Sequence, residues 1–272
     1  MKMTPVIVTD GDSVNLTCNT TCTLIGHTYI WYRNKQLLTN QEVSLHLIPV
    51  STEDAGNHSC AVKGLESLPS PEKKLIVTYG PKNTSVSVSP SGEIVEGSSV
   101  TLTCSSDANP PVDKYTWYKK TVTSPTASGQ SYSITNITSE DSGDYYCEAE
   151  NIYGRLSSPL VSVDVQYGPK NPSVSVSPSG EIVEGSSVTL TCNSDANPPV
   201  DKYTWYKKTV TSSKASGQNY SIANISSEDI GEYYCEAVNT YGCLNSTALM
   251  VIATGLCFNL KIQGCCDGIC IE

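Results

Sequence analysis

Two acidic pairs, Glu140-Asp141 and Glu228-Asp229, stand at matching places in the chain. Paired carboxylates can ligate calcium or share acid–base work. Neither pair has a third ligand nearby in sequence, and each shortly precedes a glycine, Gly143 or Gly231, so both read as acids in a turn that feeds the next strand. Cys18 and Cys22 have half the spacing pattern of a zinc site, but no second Cys or His pair follows to complete four ligands. A nucleophile triad needs serine, histidine and acid together. His27, His46 and His58 are scattered through the first part of the chain, and the serine-rich remainder contains no histidine. The expectation is no enzyme activity, no metal and no cofactor. The chemistry that the spacing does support is disulfide formation.

Three cysteine–tryptophan–cysteine frames recur: Cys18, Trp31, Cys60; Cys104, Trp117, Cys147; and Cys192, Trp205, Cys235. In each, the tryptophan follows the first cysteine by 13 residues. A stretch of the form Asp-x-Gly-x-Tyr-x-Cys closes the second and third frames, Asp141 to Cys147 and Asp229 to Cys235. In the first, Asp54 to Cys60, His58 takes the place of the tyrosine. Gly80 to Asn151 returns as Gly168 to Asn239 almost letter for letter at an offset of 88 residues, so the chain is read as tandem copies of one unit. The expected divisions are 1–79, 80–167 and 168–255, with an irregular cysteine-rich tail over 256–272.

The elements that carry these residues read as strands. Val14, Leu16 and Cys18 alternate with Asn15 and Thr17, Tyr29-Ile30-Trp31-Tyr32 and Val43 to Ile48 follow, and Ser51 to Gly56 turns the chain into the strand bearing Cys60. In the second copy Ser99 to Cys104 alternates, Asn109-Pro110-Pro111 breaks into a loop, and Tyr115 to Tyr118 resumes as a strand; the third copy repeats this around Asn197-Pro198-Pro199 and Tyr203 to Tyr206. Tyr79-Gly80-Pro81-Lys82-Asn83 and its repeat from Tyr167 read as short connectors between units, giving an extended array. No segment keeps a helical period. The fold class is therefore all-β, three tandem immunoglobulin-like β-sandwiches of the shorter C2 type. In such a fold Cys18–Cys60, Cys104–Cys147 and Cys192–Cys235 bridge the two sheets, Trp31, Trp117 and Trp205 pack on the bridges, and Tyr145 and Tyr233 form tyrosine corners, with His58 a substituted corner residue.

A net charge of −10 with only Arg33 and Arg155 as arginines argues against a nucleic-acid partner. Twelve cysteines, with Asn-x-Ser/Thr glycosylation sequons at Asn15, Asn19, Asn57, Asn83, Asn136, Asn224 and Asn245, point to an extracellular or cell-surface setting. Asn171 is excluded because Pro172 follows it. Met1-Lys2-Met3-Thr4-Pro5 has no apolar leader core, and no run of about 20 apolar residues spans a bilayer, so the sequence reads as a portion of a longer secreted or membrane protein. Pairings for Cys22, Cys243, Cys257, Cys265, Cys266 and Cys270 stay open; the tail reads as an alternative end, with a disulfide or metal knot as the rival.

The stretch Cys18-Asn19-Thr20-Thr21-Cys22, and the paired Gly-Pro-Lys-Asn units with Val-Glu-Gly-Ser-Ser-Val-Thr-Leu-Thr-Cys, resemble the constant-type domains of the sialic-acid-binding immunoglobulin-like lectins (Siglecs), especially fish B-cell inhibitory receptor-like members. The resemblance covers roughly Thr4 to Thr254. It implies a cell-surface adhesion and inhibitory immune receptor whose partners are surface glycoproteins or immunoglobulin-superfamily proteins. It also implies that sialylated glycan is bound only through a separate N-terminal variable-type domain missing from this sequence, by an arginine to which neither Arg33 nor Arg155 corresponds. Cys22 matches the family cysteine that bridges to that preceding domain, with a local or idle thiol as the rival reading. The rival expectation is a purely structural stalk or truncated soluble form without a ligand.

Overall fold

The computed structural model describes residues 5–20 and 27–255, and the backbone of residues 257–258 and 269–270. Cys22, Cys265 and Cys266 lie outside the described residues. Of the tail, Cys257–Phe258 pairs antiparallel with Ile269–Cys270. Among the described residues the only helical turns are three short 3₁₀ segments, Thr52–Asp54, Ser139–Asp141 and Ser227–Asp229. The protein is all-β. It divides into two compact units, 1–89 with 101–133 and 143–162, and 90–100 with 134–142 and 163–272.

In the first unit, Tyr29–Arg33 lies between Gln36–Leu37 and Gly56–Val62, and Gly56–Val62 pairs in turn with Lys73–Ser89. Val6–Thr9 runs parallel to the start of that long strand. Facing this sheet is a two-stranded one, Val14–Thr17 with Ser44–Leu47. The strict alternation of the sequence puts Cys18, Trp31, Leu45 and Cys60 between the layers. The same unit holds the far half of Lys73–Ser89, paired with Val100–Asn109, and a sheet of Lys114–Lys119, Gly143–Asn151 and Gly154–Ser157 in which Trp117 stands opposite Cys147.

The long strand departs from the sequence expectation of a break at Tyr79 to Asn83. Lys73–Ser89 runs straight through Gly80-Pro81, as Val165–Ser177 runs through Gly168-Pro169. Proline, which has no N–H to give to a ladder, falls where the pairing register shifts between Tyr79 and Lys82, so no ladder bond is lost. Glycine beside it allows a close approach, since a Cβ on Gly80 would meet the Tyr153 carbonyl oxygen at 3.3 Å, a tight contact.

In the second unit, Val188–Asn197 lies between Val165–Ser177 and Asn219–Ile222, and Ile94–Val95 runs parallel to the start of Val165–Ser177. The facing sheet is Ala215–Ser216, Lys202–Lys207, Gly231–Asn239 and Gly242–Asn245, with Leu249–Val251 also on Gly231–Asn239. Leu190, Cys192, Trp205, Ile225, Tyr233 and Cys235 form its core, and Val174 and Val176 of the first strand pack against it.

Candidate interaction surfaces

The acidic pairs are structural. The Asp54 carboxylate accepts from the Ser51 backbone N–H and hydroxyl at 2.8 and 3.0 Å, Asp141 from Thr138 at 2.8 and 2.9 Å, and Asp229 from Ser226 at 3.0 and 3.0 Å. Each closes a 3₁₀ turn by reciprocal capping. The signal in sequence is the Ser or Thr three residues before the aspartate.

The glycine that follows has left-handed φ in every copy, 136° at Gly56, 143° at Gly143 and 148° at Gly231. It also makes room. A Cβ on Gly231 would sit 2.8 Å from Lys207 Cε, and one on Gly56 would strike the Asn34 amide at 2.6 Å. Lys207, only 8% exposed, uses that room to cross the Tyr233 ring, its Nζ 5.5 Å from the centroid, and to donate to the Glu228 carbonyl. Tyr233 is buried and donates from Oη to the Asp229 carbonyl at 2.8 Å. Burial, with Tyr220 and Asp229 nearby, pushes its phenol up to about 12. Tyr145 holds the same place in the second copy, buried, with Lys119 Nζ 5.5 Å from its ring.

His58 occupies this corner in the first copy, between Arg33 and Lys73 in register. It is 2% exposed, and its ring nitrogens make no well-aligned hydrogen bond, although the Gly56 backbone acts on the ring as an acceptor. Burial holds its pKa below the usual 6.5; the Gly56 backbone and Asp54 oppose this, and Arg33 adds to it.

The frame cysteines are bonded as Cys18–Cys60, Cys104–Cys147 and Cys192–Cys235. Trp31, Trp117 and Trp205 are buried beside them, each donating from Nε1 to a backbone carbonyl, of Glu42, Gly129 and Gly217. Cys243 is a free, exposed thiol on Gly242–Asn245.

Of the sequon asparagines, Asn15, Asn19, Asn83, Asn136, Asn224 and Asn245 are exposed. Asn57 is half-buried, and its amide nitrogen donates to Glu72 at 2.9 Å. Asn219-Tyr220-Ser221 is a further sequon that the reading above omitted, although the same triplet rule finds it; Asn219 is exposed and accepts from Thr191 Oγ1 at 2.9 Å. On the outer face of the second sheet, Tyr118 stacks on Tyr146 at 5.0 Å between ring centroids, and Tyr206 on Tyr234 at 5.2 Å.

The connectors carry a repeated cluster. Lys82 Nζ meets Asp10 at 2.9 Å over the Tyr79 ring, whose hydroxyl reaches Asp107. Lys170 meets Glu96 over the Tyr167 ring, whose hydroxyl reaches Asp195. Burial and those aspartates push both phenols up. Asn151 donates to the Tyr79 and Pro110 carbonyls, both at 2.9 Å, and Asn239 to those of Tyr167 and Pro198. None of these side chains was singled out in sequence, because their partners lie some 30 to 70 residues away.

Among the described residues no group of three or more His, Cys, Asp or Glu side chains is placed to hold a metal, and no helix is long and apolar enough to cross a membrane.

Models described as immunoglobulin domain match residues 4–72, 81–165 and 171–239. The chain is 34% identical over 253 residues to the mouse B-cell receptor CD22, a match that covers 89% of this chain and 28% of that protein. It is 29% identical over 221 residues to the rat limbic system-associated membrane protein, covering 77% and 63%. Among solved structures, the full ectodomain of mouse nectin-like molecule 4 superposes with a TM-score of 0.60 at 23% identity, covering 92% of this chain and 97% of that one. Dpr2 Ig1–Ig2 in complex with DIP-Theta Ig1–Ig3 gives 0.52 at 21%, covering 91% and 96%.

Proposed function

The chain belongs to the immunoglobulin domain family, and from that premise we propose that it is an ectodomain portion of a cell-surface adhesion and inhibitory immune receptor. It works by recognition and by spacing. The observation that carries the spacing role is the strand that runs unbroken through Gly80-Pro81, held by the Lys82–Asp10 pair and the Asn151 hydrogen bonds. The recognition role rests on kinship with a B-cell receptor and a limbic-system membrane protein. Its partners are surface glycoproteins or other immunoglobulin-superfamily proteins. Sialylated glycan is engaged only through a separate variable-type domain; in support, Arg33 is turned to the Glu53 carbonyl and Asp54, and the exposed Arg155 lies beside the Glu148 carboxylate, which would repel a sialate. The repeats divide at 79/80 and 167/168.

The test presents the purified chain to a sialoside array and to a panel of immunoglobulin-superfamily ectodomains. The expected result is no sialoside binding and saturable binding to at least one ectodomain. Sialoside binding would overturn the assignment of that activity elsewhere; silence on both would leave the stalk reading in its place. The exposed sequons carry glycans, with Asn57 the least accessible. Protein from an animal secretory host should lose apparent mass on glycosidase treatment, and peptide mapping should find Asn57 the least occupied.

A further inference from the structure

We propose that the outer face of the third repeat is a seat for the chain's own sugar: the first N-acetylglucosamine of a glycan on Asn245 lies against the ring of Tyr234, which Tyr206 backs from the other side. This rests on the proposed glycosylation of the exposed sequons and adds what the sugar touches. In Gly231–Asn239 the residues Tyr233, Cys235 and Ala237 are buried, so Tyr234 and Glu236 face outward. Asn245 is exposed on the edge strand of that sheet and pairs directly with Glu236. It therefore stands on the same outer face, one diagonal step from Tyr234.

The side on which the Tyr234 ring is open follows from its stack. Its centroid lies 5.2 Å from that of Tyr206, its cross-strand partner on Lys202–Lys207, with the planes 16° apart. That separation is close to the spacing of about 4.8 Å between strands, so the rings stack across the sheet and one face of Tyr234 is covered. The other face looks toward Gly242–Asn245, on the opposite side of Gly231–Asn239. A pyranose ring offers a face of C–H groups, which are drawn to the negative face of an aromatic ring. Tyr206 Oη donates to Glu236 at 3.3 Å and so holds the backing ring in place.

The second repeat matches the third almost letter for letter, and its differences fall where this contact needs them. It has the same ring pair, Tyr118 on Tyr146. Ser157, opposite Glu148, takes the place of Asn245, and Pro159 that of Thr247, so the sequon is missing at that place. Arg155, on the same outer face, extends to Glu148 at 3.5 Å; the third repeat has the short Cys243 instead. Together the changes supply an attachment point and remove the long side chain that would compete for the flank of the tyrosine pair. The two repeats thus present different outer faces, a bare aromatic pair in the second and a sugar-covered one in the third.

Tyrosine nitration with peptide mapping tests this on the full chain from an animal secretory host, its glycans trimmed enzymatically to the first N-acetylglucosamine. Tyr234 should react about 3–10-fold more slowly than in Asn245→Gln or Thr247→Ala, the factor expected of one contact on an aromatic face. Tyr146 of the second repeat should react alike in all three proteins. In proton spectra of the trimmed chain, the C–H signals of the sugar on Asn245 should be shifted upfield by the ring current. Arg155→Ser, Ser157→Asn and Pro159→Thr together should slow Tyr146 by a similar factor, and a sugar installed there without that effect would overturn the proposal. An Asn245 peptide found without sugar would overturn both the proposal and the glycan assignment at that site. A glycosylated Asn245 with Tyr234 nitrated at the rate of the variants, or with unshifted sugar signals, would overturn the proposal and leave that assignment standing.

Discussion

Position 231 requires glycine for its φ of 148°, and a Cβ there would also push back Lys207 Cε, 2.8 Å away, from its place beside Glu228. Gly231→Ala is expected to destabilise the third repeat by about 1–3 kcal/mol, read as a lowered urea midpoint, because the strain adds to the lost Lys207–Glu228 hydrogen bond. His58 is the weak copy of the same corner. Its folded pKa is depressed below 6.5, so the unfolded chain binds the extra proton first as pH falls. Stability of the first repeat is therefore full above about 6.5 and falls as pH drops through the window from there to the folded pKa. His58→Tyr should abolish that dependence and add about 1 kcal/mol, by giving the corner a hydroxyl that can reach the Asp54 carbonyl as Tyr233 reaches Asp229. Chemical unfolding at pH 7.5 and 5.5, on both proteins, checks the sign; equal pH dependence in the variant would contradict it.

At the level of elements, the capped 3₁₀ turns and the strands through Gly-Pro do the positioning. Asn151 holds three backbone groups, the carbonyls of Tyr79 and Pro110 and the N–H of Tyr153. Asn151→Ala leaves part-buried backbone groups without their partner and is expected to cost about 1–2 kcal/mol, seen as faster amide exchange along Lys73–Ser89. Lys82→Met should cost under about 1 kcal/mol, since its ion pair with Asp10 is 40% and 32% exposed and water screens it. An order reversed between these two variants would show that charge, rather than backbone satisfaction, holds the strand.

For the whole molecule the disulfides set the stability of each repeat. Cys104–Cys147 closes a loop with a sequence separation of 43, and removing it by a double Cys→Ala change should cost about 4 kcal/mol in the loop-entropy model. The expected result is an unfolded second repeat while the Cys192–Cys235 frame stays folded, readable from fluorescence of Trp117 and Trp205 single-tryptophan variants. Because the first repeat shares the strand Lys73–Ser89 with Val100–Asn109, some loss of order should spread to it through that pairing.

The sequence by itself determined the class, the three frames and the inward turn of Cys, Trp and Tyr, because a period of two and a fixed cysteine spacing are local properties of the chain. It also pointed to the acidic pairs as turn residues, though not to Ser51, Thr138 and Ser226 as the groups that cap them. Tertiary structure alone decided the rest. Gly80-Pro81 reads locally as a breaker, yet it continues a strand because Lys82, Asn109 and Asn151 find partners far along the chain. The cover that Lys73–Ser89 lays along the edge of Val100–Asn109 is likewise invisible in an alternating pattern. Pattern fixes which face of a strand is buried, but only the assembled sheet fixes whether its edge is covered.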